Sequence, residues 1–181
     1  MKILLLKGLP GSGKSTFARQ VIDGKDFRGG NWTRVNKDDL RAMMHNSKHT
    51  KGNEAMVLKI RDEIIMQALN KGHNVIVDDT NFNPIHEQRM YEIAKCYKKC
   101  DVEVKFVDTP LDECITNDLK RPNSVGEKVI RAMYNEWLKD LRPVPRPEVI
   151  EGKPRAVICD IDGTLAHMTN RSPYDWMEVG E

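Results

Sequence analysis

The sequence predicts an α/β protein, a parallel sheet with helices on both faces. Short continuous apolar runs, Lys2 to Lys7 and Asn74 to Val77, read as strands covered from both sides, because a half-exposed strand would alternate with polar residues. Between such runs stand segments with apolar residues at helical spacing. The first run also passes through a glycine-rich turn, Gly8 to Gly13, straight into a helical pattern. Strands alternating with helices imply crossover connections, and hence parallel pairing.

The elements follow in order. Lys2 to Lys7 is the first strand, and the helix after the glycine turn runs from Lys14 to about Asp23. Gly24 to Asn31 holds three glycines and reads as loop. Trp32 to Val35 is a short strand, after which Asn36 and Asp38 signal a helix through Met44. The polar stretch His45 to Asn53 loops out, and Glu54 to Asn70 carries a helical face of Val57, Ile60, Ile64, Ile65, Ala68 and Leu69. Asn74 to Val77 leads into Asp78-Asp79-Thr80-Asn81, and Pro84 opens a helix to about Lys98. Val102 to Val107 alternates apolar with charged residues and belongs nearer the sheet edge. Leu111 to Lys120 is helical, Arg121 to Gly126 a loop, and Glu127 to Leu141 an amphipathic helix with Val129, Ile130, Met133, Tyr134, Trp137 and Leu138 inward. Arg142 to Pro147 is stiff and extended, and Ala156 to Cys159 is a last strand entering Asp160.

Lys and Arg together number 29 against 27 for Asp and Glu, so nucleic-acid binding by bulk charge is excluded and any basic surface is local. No apolar run approaches the roughly 18 residues that would span a bilayer, and the apolar start is too short for a signal peptide. A cytoplasmic protein with no membrane partner is expected. Cys96, Cys100, Cys114 and Cys159 lack the clustering of a zinc site or a disulfide scaffold and are read as free thiols.

Gly8-Leu9-Pro10-Gly11-Ser12-Gly13-Lys14-Ser15 satisfies the full P-loop pattern, in the strand-then-helix setting it needs. Glycines let successive backbone N–H groups turn inward as an anion nest, and the helix N-terminus adds its dipole. Lys14 is expected to reach the outer phosphates of a bound nucleotide and the Ser15 hydroxyl to hold Mg²⁺; Thr16 packs behind the loop. A carboxylate near that ion belongs at the end of a neighbouring apolar strand. Asp78 and Asp79 both qualify, and alternation lets only one face the phosphates. Asp38 and Asp39 form a second acidic pair at a strand end, where ligands of open α/β sheets bind. A carboxylate there would accept the proton of an attacking hydroxyl. As a bare pattern, Asn36-Lys37-Asp38-Asp39 is equally a helix cap.

These residues together resemble the polynucleotide kinase domain of the T-even bacteriophage polynucleotide kinase-phosphatase. Gly8 to Thr16 matches the phosphate loop of that family. Val35-Asn36-Lys37-Asp38-Asp39-Leu40-Arg41 is similar to its Asn-Arg-Asp-Asp-x-Arg segment, and Asp79-Thr80-Asn81-Phe82-Asn83-Pro84 to its Asp-Thr-Asn-x-Asn-Pro segment. Lys120-Arg121 falls at its lid arginine; the Val129 to Tyr134 helix and the Asp-x-Asp-Gly-Thr tail also correspond. The resemblance implies a P-loop kinase fold and transfer of the γ-phosphate of ATP, or another nucleoside triphosphate, to the 5′-hydroxyl of DNA or RNA ends, with Mg²⁺. It assigns Gly8, Pro10, Gly11, Ser12, Gly13, Lys14, Ser15, Thr16 and Arg121 to ATP. Asp38 becomes the general base and Arg41 the ligand of the acceptor's 3′-side phosphate. Lys14 and Arg121 join Asp38 as catalytic groups, and Asp79 rather than Asp78 joins Ser15 at the metal, through water. The family often carries a second lid arginine where this chain has Asn117, so a looser grip on the triphosphate is expected.

Residues 1–150 are therefore read as the kinase domain, and 151–181 as a linker and the truncated start of a HAD-type phosphatase domain. Cys159-Asp160-Ile161-Asp162-Gly163-Thr164 looks like the opening motif of an aspartate-based phosphatase, with a nucleophile and an acid/base. The later motifs are missing from the sequence, so Asp160 and Asp162 need a further phosphatase domain or chain to complete a site. Two other functions fit the P-loop: a kinase for a nucleoside or sugar, and a non-catalytic nucleotide-binding module that docks a phosphatase. Arg41 beside Asp38 favours an acceptor that already carries a phosphate.

Overall fold

A computed structural model of the chain describes residues 1–24 and 30–139, which fall in one compact unit, Met1–Arg142. The expected strand Ala156 to Cys159, the extended Arg142 to Pro147 and the Asp160/Asp162 motif lie outside the described residues. The elements in chain order are β1 (Lys2–Lys7), α1 (Lys14–Ile22), β2 (Trp32–Val35), α2 (Lys37–His45), α3 (Lys51–Asn70), β3 (Asn74–Asp78), α4 (Pro84–Lys95), β4 (Asp101–Phe106), α5 (Leu111–Leu119) and α6 (Glu127–Trp137).

All described strand pairs are parallel, in the order β2-β3-β1-β4. The expected α/β sheet is present, and β4 stands at its edge. Ile3 to Leu6 of β1 are wholly buried, as their unbroken apolar run requires. Ile3 and Leu5 face a cluster with Val75, Val77 and residues of α2, α3 and α4; Leu4 and Leu6 face Ala18 and Val21 of α1. Helices thus cover both faces. A third cluster packs Cys114 and Ile115 of α5 and Ile130 of α6 around Leu9 of the glycine turn.

Some boundaries differ from the sequence reading. The helix expected from Glu54 begins at Lys51, because Thr50 caps it through Oγ1, which accepts from the Asn53 N–H at 3.1 Å. The helix from Pro84 stops at Lys95, before Lys99 takes a left-handed φ of 62°. The helix expected from Glu127 to Leu141 ends at Trp137, where Leu138 leaves helical dihedrals; Ile130 and Leu138 are buried as expected, whereas Val129 is exposed. Trp137 is half-buried and stacks on Phe82, ring centroids 6.4 Å apart. Among the described residues no helix is long and apolar enough to cross a membrane.

Candidate active site

β1 delivers the chain into the glycine turn at the carboxyl end of the sheet. Gly11 sits at φ +78°, and a Cβ there would come within 2.1 Å of the Cys114 carbonyl oxygen, so only glycine allows α5 to lie against the loop. Asn117 Nδ2 donates to the Gly11 carbonyl at 3.2 Å, and Thr109 Oγ1 to that of Ser12 at 2.9 Å, fixing the loop from outside. Asn117 thus serves as a tie between α5 and the loop. Gly8, Pro10 and Ser12 are buried, Gly13 is the N-cap of α1, and Thr16 is exposed on its first turn.

Lys14 is 7% exposed, and its Nζ donates to the Leu9 carbonyl at 2.6 Å and to Ser12 Oγ at 3.3 Å. The ammonium therefore occupies the mouth of the anion nest. Burial lowers its pKa to about 8, against the opposing pull of Asp78.

β3 runs beside β1 with Leu6 opposite Asp78. That register brings Asp78 to the loop: Ser15 Oγ donates to Asp78 Oδ1 at 3.3 Å, and Arg34 of β2 donates to Asp78 Oδ2 through Nε at 2.8 Å. Burial pushes the Asp78 carboxyl up, while Arg34 pulls it down. Asp79, which the resemblance assigns to the metal, places Oδ1 on the N-terminus of α2, accepting from Lys37 N–H at 2.8 Å. Its Oδ2 is buried with no hydrogen-bond partner, and burial raises its pKa to about 6.

α2 carries the second carboxylate pair. Asn36 caps the helix by accepting from Asp39 N–H at 2.9 Å, and its Nδ2 donates to the Asp78 carbonyl, tying α2 to the end of β3. Asp39 is held by Arg34 at 2.5 Å, whereas Asp38 is 82% exposed and accepts from Arg41 Nη1. Arg41, one turn along, is buried. Its Nε and Nη2 donate to Glu54 of α3 at 2.5 and 2.9 Å. The Arg41 guanidinium holds the Glu54 carboxyl below the usual range. Glu54 and Arg34 escaped the sequence reading, since both act across elements.

Arg121 lies in the turn between α5 and α6, half-exposed, with Nη1 3.5 Å from Asp118 Oδ1. Its charge is felt at Lys14.

A P-loop kinase fold with a nucleotide-binding loop is what these elements define. The chain belongs to the AAA domain family, whose model matches residues 3–143. Residues 154–181 match the model of the polynucleotide kinase PNKP phosphatase domain. The chain is 31% identical over 191 residues to the "Putative bifunctional polynucleotide kinase/RNA ligase" of Autographa californica nuclear polyhedrosis virus; the match covers 97% of this chain and 26% of that protein. It is similar, at 32% identity and a TM-score of 0.62, to a chain in the structure of the Pnkp1/Rnl/Hen1 RNA repair complex, covering 96% of this chain and 60% of that one. The APS kinase CysC of Mycobacterium tuberculosis, in complex with AMPPNP and APS, is 23% identical with a TM-score of 0.54, covering 72% of this chain and 73% of that one, and shows the fold alone. The chain thus spans about a quarter of the viral relative.

Proposed function

We infer that the protein transfers the γ-phosphate of ATP, or another nucleoside triphosphate, to the 5′-hydroxyl of a DNA or RNA end, in the cytoplasm. The observation that carries this reading is the buried Arg41 locked between Glu54 and Asp38. A base for a hydroxyl thereby stands beside a guanidinium for a neighbouring phosphate. The likeness to the viral kinase/ligase and to the RNA repair complex supports the same reading.

The donor phosphates would replace the Leu9 carbonyl and Ser12 hydroxyl as partners of Lys14 Nζ. Three donor groups of Arg41 are engaged by Glu54 and Asp38, and its remaining Nη hydrogens are left for an acceptor phosphate. An arriving phosphate competes with Asp38 for Nη1, which frees Asp38 to take the proton of the 5′-hydroxyl. Arg121, half-exposed and beside the loop, closes on the transferring group; a planar guanidinium keeps its charge throughout.

The residues present fit Mg²⁺, because Ser15 Oγ, Asp78 and the unpartnered Oδ2 of Asp79 are all hard oxygen donors. Ser15 and Asp79, the latter through water, would hold the ion with Asp78 oriented by Arg34. When bound it neutralises charge on the phosphates.

Residues 1–150 make up the kinase domain in this reading, and 151–181 a linker and the start of a HAD-type phosphatase domain, supported by the match over 154–181. Asp160 and Asp162 would serve a phosphatase site only together with the rest of such a domain.

The test is transfer of labelled γ-phosphate to a 5′-hydroxyl oligonucleotide, with a nucleoside 3′-monophosphate and a free nucleoside as competing acceptors. Labelled oligonucleotide and 3′-monophosphate are expected, with the free nucleoside a poor acceptor. Equal rates on both small acceptors would replace this reading with a small-molecule kinase.

A further inference from the structure

Asp118 is a fully buried carboxylate at the end of α5 to which neither the phosphate loop nor the acceptor residues lay claim. Its Oδ2 gathers three donors from the turn that leads into α6: Ser124 Oγ at 2.7 Å, Val125 N–H at 2.9 Å and Gly126 N–H at 3.0 Å. The helix has no side-chain cap, since Gly126 is its N-cap, and the Asp118 carboxylate instead fixes the turn that leads into it. The other oxygen, Oδ1, is buried and has no hydrogen-bond partner. A buried carboxylate with one oxygen unengaged is costly unless a charge lies near. The charge that lies near is Arg121, with Nη1 at 3.5 Å. The Arg121 N–H also donates to the Asp118 carbonyl at 2.9 Å, so the turn from 121 to 126 is wound around one residue.

Asp118 is itself tied to the phosphate loop. Its neighbour Asn117 donates to the Gly11 carbonyl, and the Asp118 backbone nitrogen packs so close to Gly11 that a Cβ there would stand 3.1 Å from it. A carboxylate whose neighbour Asn117 is tied to the P-loop therefore stands 3.5 Å from a guanidinium on one oxygen and binds the turn before α6 with the other.

We propose that Asp118 is a positioning residue for phosphoryl transfer, its Oδ1 aiming the Arg121 guanidinium at the donor phosphates. The proposal rests on the reading of Arg121 as the lid arginine. Asp118→Asn keeps an oxygen for the three donors of the turn but puts an uncharged NH₂ where Arg121 needs a carboxylate. A purely structural tie would tolerate that exchange.

The experiment is a double-mutant cycle on the full chain with Asp118→Asn, Arg121→Ala and the pair, measuring kcat, the KM of each substrate and melting temperature. Arg121→Ala is expected to lower kcat by about 10³-fold. Asp118→Asn is expected to lower it roughly tenfold, with the acceptor KM and melting temperature nearly unchanged. In the Arg121→Ala background Asp118→Asn should cost nothing further, because its effect runs through the missing side chain. Wild-type kcat in Asp118→Asn, or losses that multiply in the double variant, would overturn the proposal while leaving Arg121 in its role. Wild-type turnover in Arg121→Ala would overturn the lid reading and the proposal with it. A second measurement needs no change at Asp118: ¹⁵N NMR of the unmutated protein should show hindered rotation of the Arg121 guanidinium without nucleotide. Free rotation would refute the pairing even if Asp118→Asn failed to fold.

Discussion

Arg41 binds Glu54 through two prongs, Nε to Oε1 at 2.5 Å and Nη2 to Oε2 at 2.9 Å, across the packing of α2 on α3. The guanidinium plane is thereby set before any acceptor arrives. Arg41→Ala should raise the KM of a nucleoside 3′-monophosphate by about 10-fold or more, the size of one charge-assisted hydrogen bond. It should change a free nucleoside much less. Steady-state kinetics on the two acceptors decides this, and a uniform loss on both would remove Arg41 from the acceptor site. The same substitution should cost on the order of 1–2 kcal/mol of stability, since Glu54 loses its partner.

Asp38 is the exposed member of its pair, while Asp39 is tied to Arg34. Asp38→Asn should reduce transfer by a factor of about 10²–10⁴, the range of general-base removal, with nucleotide affinity and melting temperature unchanged. Nucleotide titration followed by calorimetry, beside the transfer assay, checks both halves. A silent Asp38→Asn with an inactive Asp39→Asn would exchange their roles.

Asp79 carries a cost that a neutral side chain would not. Its pKa is raised to about 6 from an ordinary value of 3.8, chiefly by burial, so the folded state favours the protonated form. The penalty is absent below about pH 3.8, grows as pH rises to about 6, and is fully present above that. Asp79→Asn retains an acceptor for Lys37 N–H. In metal-free buffer it should stabilise the protein by on the order of 1–3 kcal/mol at pH 7.5 and by little at pH 4. Melting temperatures across that range measure it; destabilisation at pH 7.5 would mean that the charge is needed for folding.

Lys14 offers a pH signature of nucleotide binding. Burial lowers its pKa to about 8 in the ligand-free loop, so the free protein loses that proton as pH rises through 8. A triphosphate restores the charge. ATP binding should therefore take up a proton increasingly from pH 7 to pH 9, and Lys14→Met should abolish the uptake together with transfer. Calorimetry in two buffers of different ionisation enthalpy reads this directly, and pH-independent proton balance would contradict it.

The phosphate loop was legible because its function is local: Gly8 to Ser15 carry the nest, the ammonium and the hydroxyl within consecutive residues. The strands were legible for a related reason, since Ile3 to Leu6 and Val75 to Val77 are buried on both faces and show it in composition. The choice between Asp78 and Asp79 was not readable from alternation. Both are buried, and their partners Ser15, Arg34 and Lys37 lie on three other segments. Glu54 stood at the expected start of its helix, but its meaning depends on α2 packing against α3, which places it opposite Arg41. Lys14 would pass for a solvated loop residue, yet the turn folds over it.

The parallel pairing of Leu6 with Asp78 divides the site by inheritance of length. Asp78 sits in that last rung, and the chain beyond Leu6 turns directly into Lys14 and Ser15, so one residue inserted in either strand would flip side chains to the opposite face. Residues 46–50, which join α2 to α3, lie outside any rung. Lengthening that turn re-aims Glu54, and with it Arg41, while Ser15 and Asp78 keep their places. With Arg41 as the acceptor's ligand, as proposed, acceptor choice would drift through insertions that the ATP side of the same protein would not survive.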